Sequence, residues 1–217
     1  MFLKSRPDED PDGPGESARA TAELVLASTS TYRRELLTRF RLDFRTAAPH
    51  VDETRRAGEA PRELAIRLAR AKAERVAAER IDAGSPDAWI IGSDQVAVRG
   101  EAILGKPGTR ARCIEQLQAA SGQTVTFLTA VAVVHQADAA CHEFIDTTRV
   151  AFRNLDTDTI TRYVDAEVPL DCAGGFKSEG LGAALCETIE SCDPTALIGL
   201  PLLRLAAVLR SAGFRIP

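Results

Sequence analysis

The sequence predicts an α/β protein: a mixed, twisted sheet with a long antiparallel hairpin, folded as two lobes around a central cleft. Three observations predict it. Strand-like and helix-like segments interleave along the chain. Residues 123–135 and 143–153 form two long apolar-alternating runs, which read as paired antiparallel strands. Charged and hydroxyl residues gather at the ends of elements, where a cleft between lobes collects them.

The elements follow in order. Residues 1–20, MFLKSRPDEDPDGPGESARA, are too polar and Pro/Gly-rich to bury a core and read as a disordered tail. A single domain then spans 21–217, with order beginning near Glu23. Residues 23–27 read as a buried strand. Ser30 caps a helix whose apolar face is Leu36, Leu37 and Phe40. Residues 42–48 alternate as a strand. Pro61 opens a long amphipathic helix to about Arg80, with Leu64, Leu68, Ala71 and Val76 inward. Ala88–Val98 is strand-like but interrupted at Gly92-Ser93-Asp94, and Arg99-Gly100 turns it into a hairpin with 101–104. A helix runs from Thr109 to Gly122, another over 156–167 before Pro169, then a strand over 183–190 and a closing helix over 201–212.

Composition narrows the function classes. A net charge of −4 excludes a general surface for nucleic-acid polymers. No apolar run approaches the ~20 residues that span a membrane. The acidic N-terminus is not a secretory signal. The five cysteines form no CxxC pair and no zinc spacing, and read as buried, reduced thiols of a cytoplasmic protein.

Several stretches carry chemistry. In LASTSTYRREL a strand meets a helix at Ser28-Thr29-Ser30, followed by Tyr32, Arg33 and Arg34. Backbone N–H groups, a positive dipole end, hydroxyls and guanidinium groups there suit a phosphate; a solvated helix cap is the plainer alternative. In IIGSDQV an apolar strand delivers Asp94, a costly place for a carboxylate unless it is bonded, metal-bound or beside a reacting water. The alternative is a turn aspartate bonding its own backbone. VDET adds Asp52 and Glu53, and two carboxylate sites beside a phosphate corner suit Mg²⁺ or Mn²⁺. AGGFKSEGLG reads as a loop whose backbone can approach a ligand, or as a merely flexible one.

Two near-motifs fail. Gly100 to Pro107 has Walker A spacing, but Pro107 replaces the metal-holding hydroxyl and has no N–H to donate. Lys106 still reaches a phosphate as a point charge. Gly180-Leu-Gly182 has Leu185 at the third glycine position and is no dinucleotide fingerprint.

The ordered set LASTSTYRRELL, APHVDET, RLARAKAERV, IIGSDQV, GKP, QLQAASGQTVTFLTAVAV, CAGGFKSEGLG and IGLPL, across residues 23–213, resembles the Maf-like nucleoside triphosphate pyrophosphatases. The resemblance implies a Maf/inosine triphosphatase-like fold, divalent-metal dependence, cleavage between α and β phosphates, a cytoplasmic location, and a possible homodimer. Asp94 resembles the catalytic acid/base, and Glu53 a metal- or water-positioning carboxylate, so that both are candidate metal ligands. Arg33, Lys72 and Lys106 resemble the cations on the triphosphate, with Lys106 in the catalytic set. Ser28 and Ser30 resemble the phosphate-corner hydroxyls.

Tyr32, Gln95 and Glu179 match the positions that separate the family's branches. They resemble the branch acting on 7-methyl-GTP, against Arg, Thr and Gln in the dTTP/UTP branch. Tyr stands where Trp is usual, and Thr31 replaces the usual proline. Charge supports the match. A 7-methylated guanine is cationic and suits an aromatic face, and its two N–H donors suit a carboxylate. Alternatives are a family member acting on another nucleotide, whether dTTP, UTP or a damaged purine, and a nucleotide-binding regulator of cell division.

Overall fold

The computed structural model describes residues 22–217; the predicted tail lies outside the described residues. Strand β1 (Glu23–Ala27) leads into helix α1 (Thr31–Thr38), strand β2 (Arg45–Ala47) and helix α2 (Pro61–Asp82). Strands β3 (Ala88–Arg99) and β4 (Ala102–Leu104) form a hairpin, then come α3 (Arg110–Ala120) and the long hairpin β5 (Thr124–His135) and β6 (Cys141–Phe152). Helix α4 (Thr157–Glu167), two 3-10 turns (Ala173–Gly175 and Leu181–Leu185), β7 (Cys186–Glu190) and α5 (Leu202–Ser211) complete the chain. One mixed sheet holds every strand in the order β2-β1-β3-β5-β6-β7, with β4 attached to β3.

Capping residues set the helix starts. Ser30 Oγ accepts from Arg33 N, Thr109 Oγ1 from Arg112 N, and Asp156 Oδ1 from Thr159 N. Each satisfies a donor that the first helical turn leaves unpaired. Helix α5 follows Pro201, which offers no side-chain acceptor. Buried Asp193 does that work from outside, its Oδ2 accepting from Leu203 N at 2.6 Å.

Three apolar clusters divide the molecule into two lobes. Helix α2 lies on one face of the sheet, burying Leu64, Leu68 and Val76 against Ile90 and Val134. Leu36 and Leu37 of α1 and Leu205 and Leu209 of α5 pack with Ile91 and Val133 of the alternate strand positions, and so cover the opposite face. The far ends of β3, β5 and β6 form the second lobe, where Leu117 of α3 and Ile160 of α4 meet Phe127, Val150 and Phe152. The three long strands thus pass through both lobes.

Several sequence expectations are corrected. Strand β3 runs unbroken through Gly92-Ser93-Asp94. Gly92 is needed because α2 crosses so closely: a Cβ there meets Ala69 O at 2.1 Å and Ala73 N at 2.8 Å. The predicted strand over 42–48 shrinks to 45–47, because Leu42 and Phe44 pack into the core before the strand begins. On α2, Ala71 is only half-buried and Lys72 takes an inward position. The strand expected over 183–190 starts at Cys186, after a 3-10 turn. All five thiols are free, but only Cys113 is buried and Cys192 is exposed.

Candidate active site

The site exists because two strands share one edge of β3. β1 pairs with Ala88–Gly92 and β4 with Ala97–Arg99, while β5 follows the other edge from Trp89 to Val98. Ser93–Val96 are left with no partner strand on the first edge, and the cleft opens there. It is a cavity of about 690 Å³. Ser28, Ser30, Tyr32, Arg33, Glu53, Lys72, Asp94, Gln95, Lys106 and Glu179 all line it. These ten candidates are therefore gathered into one space, while Asp52 and Arg34, which the sequence also suggests, are exposed and do not line it.

At its centre Lys72 Nζ lies 2.6 Å from Asp94 Oδ1 and 2.7 Å from Glu53 Oε1. Lys72 and Asp94 are only 6% and 8% exposed. Gly92 permits this contact, since it lets α2 settle on β3 directly. Burial pushes the Asp94 carboxyl above its ordinary value, against the opposing pull of Lys72 and Arg33. Burial also raises Glu53, but the Lys72 hydrogen bond and the charges of Lys72, Lys106 and Arg33 outweigh it and leave Glu53 lowered. Asp94 Oδ2 has no hydrogen-bond partner among the described residues.

The phosphate corner is built as an interlocked turn. Ser28 Oγ accepts from Ser30 N at 3.1 Å and from Arg33 Nη1 at 3.5 Å. Arg33 Nε donates to Gly199 O at 3.0 Å, and Ser93 Oγ donates to the same carbonyl at 2.9 Å. Desolvation lowers the Arg33 guanidinium from its ordinary value, although Asp94 and Glu53 favour its charge. Arg34 points to solvent. Lys106 is exposed at the mouth, after the β3–β4 hairpin. The rejected Walker A spacing accordingly spans a hairpin, not a strand-to-helix turn.

The same cavity is lined by the base-selecting candidates Tyr32, Gln95 and Glu179. Tyr32 is held as a neutral phenol, its pKa pushed up to about 12 by burial and by neighbouring Cys172 and Asp171. The two N–H groups of Gln95 Nε2 are shared among three acceptors, Thr129 Oγ1 (2.9 Å), Ala196 O (3.1 Å) and Leu197 O (2.9 Å). A flipped amide would set its oxygen against two carbonyls, so the orientation follows from chemistry. Gln95 Oε1 is left as an acceptor. Glu179 is exposed at the cavity wall, within the glycine-rich loop. Two of that loop's glycines serve internal packing, not a ligand: a Cβ on Gly180 meets the Glu167 carboxylate at 2.4 Å, and one on Gly182 meets Lys177 O at 2.2 Å.

Sequence reasoning missed three supports. Buried Glu59 takes a bidentate contact from Arg67, at 2.5 and 2.9 Å, and Arg67 also binds Thr54 O. This clasp fixes the VDET connection that carries Glu53. Thr129 and the 196–199 segment orient Gln95 and Arg33. Glu167 holds Lys177 at 2.7 Å. None of these pairs has a local sequence signal, because each joins segments far apart or across a turn.

Fold and site together define an α/β protein with a polar, anion-accepting cleft at an open sheet edge. The chain belongs to the Maf-like protein family, whose sequence model matches residues 23–212. It is 56% identical over 191 residues to a 7-methyl-GTP pyrophosphatase of Alkalilimnicola ehrlichii, covering 88% of this chain and 94% of that protein. It is 56% identical over 194 residues to one from Xanthomonas axonopodis pv. citri, covering 89% and 98%. A third, from Pseudomonas aeruginosa, is 51% identical over 199 residues, covering 90% and 99%. No helix among the described residues is long and apolar enough to cross a membrane.

Proposed function

We propose that the chain is a nucleoside triphosphate pyrophosphatase that converts 7-methyl-GTP to 7-methyl-GMP and pyrophosphate, keeping a modified nucleotide out of nucleic acid. The observation that carries this reading is the shared cavity, lined by Asp94, by Tyr32, Gln95 and Glu179, and by the Ser28–Arg33 corner. The relatives named for this activity match 88–90% of the chain.

The residues divide the work by charge. Arg33, Lys72 and Lys106 neutralise the polyphosphate, and Ser28 and Ser30 orient it. Asp94 takes the proton of the attacking water on Oδ2 while Lys72 holds Oδ1. Its raised basicity suits that role, because a base closer to the working pH accepts a proton more readily. Tyr32 offers its face to the cationic purine, while Gln95 Oε1 and Glu179 accept from its N–H edge.

The donor set also fits a divalent metal. Among the described residues no group of three His, Cys, Asp or Glu side chains is placed to hold a metal. Mg²⁺ and Mn²⁺ need no such group, since they bind through one or two carboxylates together with substrate phosphates. Asp94 and Glu53 would hold the ion. The ion would supply charge neutralisation at the α and β phosphates.

The test incubates purified protein and Mg²⁺ or Mn²⁺ with 7-methyl-GTP, GTP, dTTP and UTP. Pyrophosphate released fastest from 7-methyl-GTP is expected. Orthophosphate as the product, or a preference for dTTP or UTP, overturns the reading.

A further inference from the structure

Tyr32 has an unexpected neighbour. Lys177 Nζ sits over its ring, 5.8 Å from the centroid. Tyr32 lines the cavity and Lys177 does not. The ammonium therefore reaches the ring from outside the set of residues that line the cavity. A bare cation there opposes a second cation at the ring, because both draw on one ring quadrupole and repel through a poorly solvated gap.

The ammonium is not bare. Lys177 Nζ is 2.7 Å from Glu167 Oε1, with side-chain exposures of 25% and 12%. Glu167 sits at the C-terminal end of α4, and its other oxygen accepts from Leu181 N at 2.8 Å. Gly180 passes so close that no side chain fits between. Lys177 N in turn donates to the Tyr163 hydroxyl at 3.0 Å. The segment from 177 to 181, which carries Glu179, is thus pinned to α4 at both ends.

We propose that Glu167 is a specificity-positioning residue: by neutralising Lys177 beside Tyr32 and pinning the Glu179 loop, it keeps the ring receptive to a positively charged base. The inference rests on the proposed function for the identity of that base, but not for its test. The quantity to measure is the KM for 7-methyl-GTP divided by the KM for GTP, two bases that differ in charge.

In Glu167→Gln the side chain keeps its shape and loses its charge. The KM ratio should rise about tenfold, with the two kcat values keeping their proportion. Lys177→Met added to that variant should restore the ratio. Lys177→Met alone leaves a carboxylate near the ring and should lower it. Equal KM changes for both nucleotides in Glu167→Gln, or no restoration in the double variant, overturn the proposal. If Glu167→Gln does not fold, Lys177→Met alone decides, and an unchanged ratio counts against. A wild-type enzyme with no preference for 7-methyl-GTP would sink the functional reading, yet the shift in ratio between variants would still test Glu167.

Discussion

Lys72 Nζ joins two carboxylates, lying 2.6 Å from Asp94 Oδ1 and 2.7 Å from Glu53 Oε1. Asp94→Asn removes the proton acceptor and leaves this frame nearly isosteric. Turnover of the preferred nucleotide should fall by about 10²–10⁴-fold with little change in KM. Steady-state kinetics with a pyrophosphate readout checks this.

The same pair predicts a pH effect. Burial already places the Asp94 carboxyl above its ordinary value, so the acidic limb of kcat/KM should lie above the usual range for an aspartate. Lys72→Met removes an attraction that favours the ionised form. Asp94 then titrates at still higher pH, and the acidic limb should move upward. A limb that stays fixed, or moves down, would mean that another group controls it.

Gly92 should tolerate no side chain. Gly92→Ala drives a methyl into the backbone of α2 at Ala69 and Ala73. The helix must lift, at a cost of about 3 kcal/mol, and Lys72 leaves Asp94. Chemical denaturation and kinetics should report losses of stability and of activity together.

Reversing the polarity of the base pocket should reverse its preference. Tyr32→Arg combined with Glu179→Gln removes the cation-accepting face and the charged acceptor. Relative kcat/KM for dTTP or UTP over 7-methyl-GTP should rise about tenfold or more. Competition between the nucleotides in one reaction measures it.

Far from the cleft, His135 bonds Asp138 at 2.9 Å and Asp87 at 2.8 Å, stacked on Trp89. Desolvation lowers its pKa, but the hydrogen bonds and charges of the two aspartates prevail and raise it. Its stabilising contribution is complete below the unfolded value of about 6.5 and fades as pH rises through the folded value. The Tm should therefore decline as pH rises above about 6.5, and His135→Gln should flatten that decline.

Much of this architecture is legible in the residues themselves. Hydrophobic alternation reveals the β5–β6 hairpin, and Ser30, Thr109 and Asp156 mark three helix starts. Asp94 stands out because a carboxylate in an apolar strand demands a partner. What that partner is cannot be read from periodicity. Lys72 lies on the buried face of α2 between Ala69 and Ala73, where helical spacing expects another small residue. Gly92 looks like a break in a strand when read alone, and only the crossing helix explains it. Glu59 with Arg67, and Glu167 with Lys177, are tertiary pairs between ordinary surface-type residues, so composition hides them.

The three long strands that pass through both lobes have one more consequence. With β3, β5 and β6 continuous from end to end, opening the lobes like hinged jaws has to bend three hydrogen-bonded strands together. The distance from the Ser28 turn to Glu179 then acts as a fixed caliper, and the enzyme should gauge a nucleotide's length by rigid fit, with no large closure on capture.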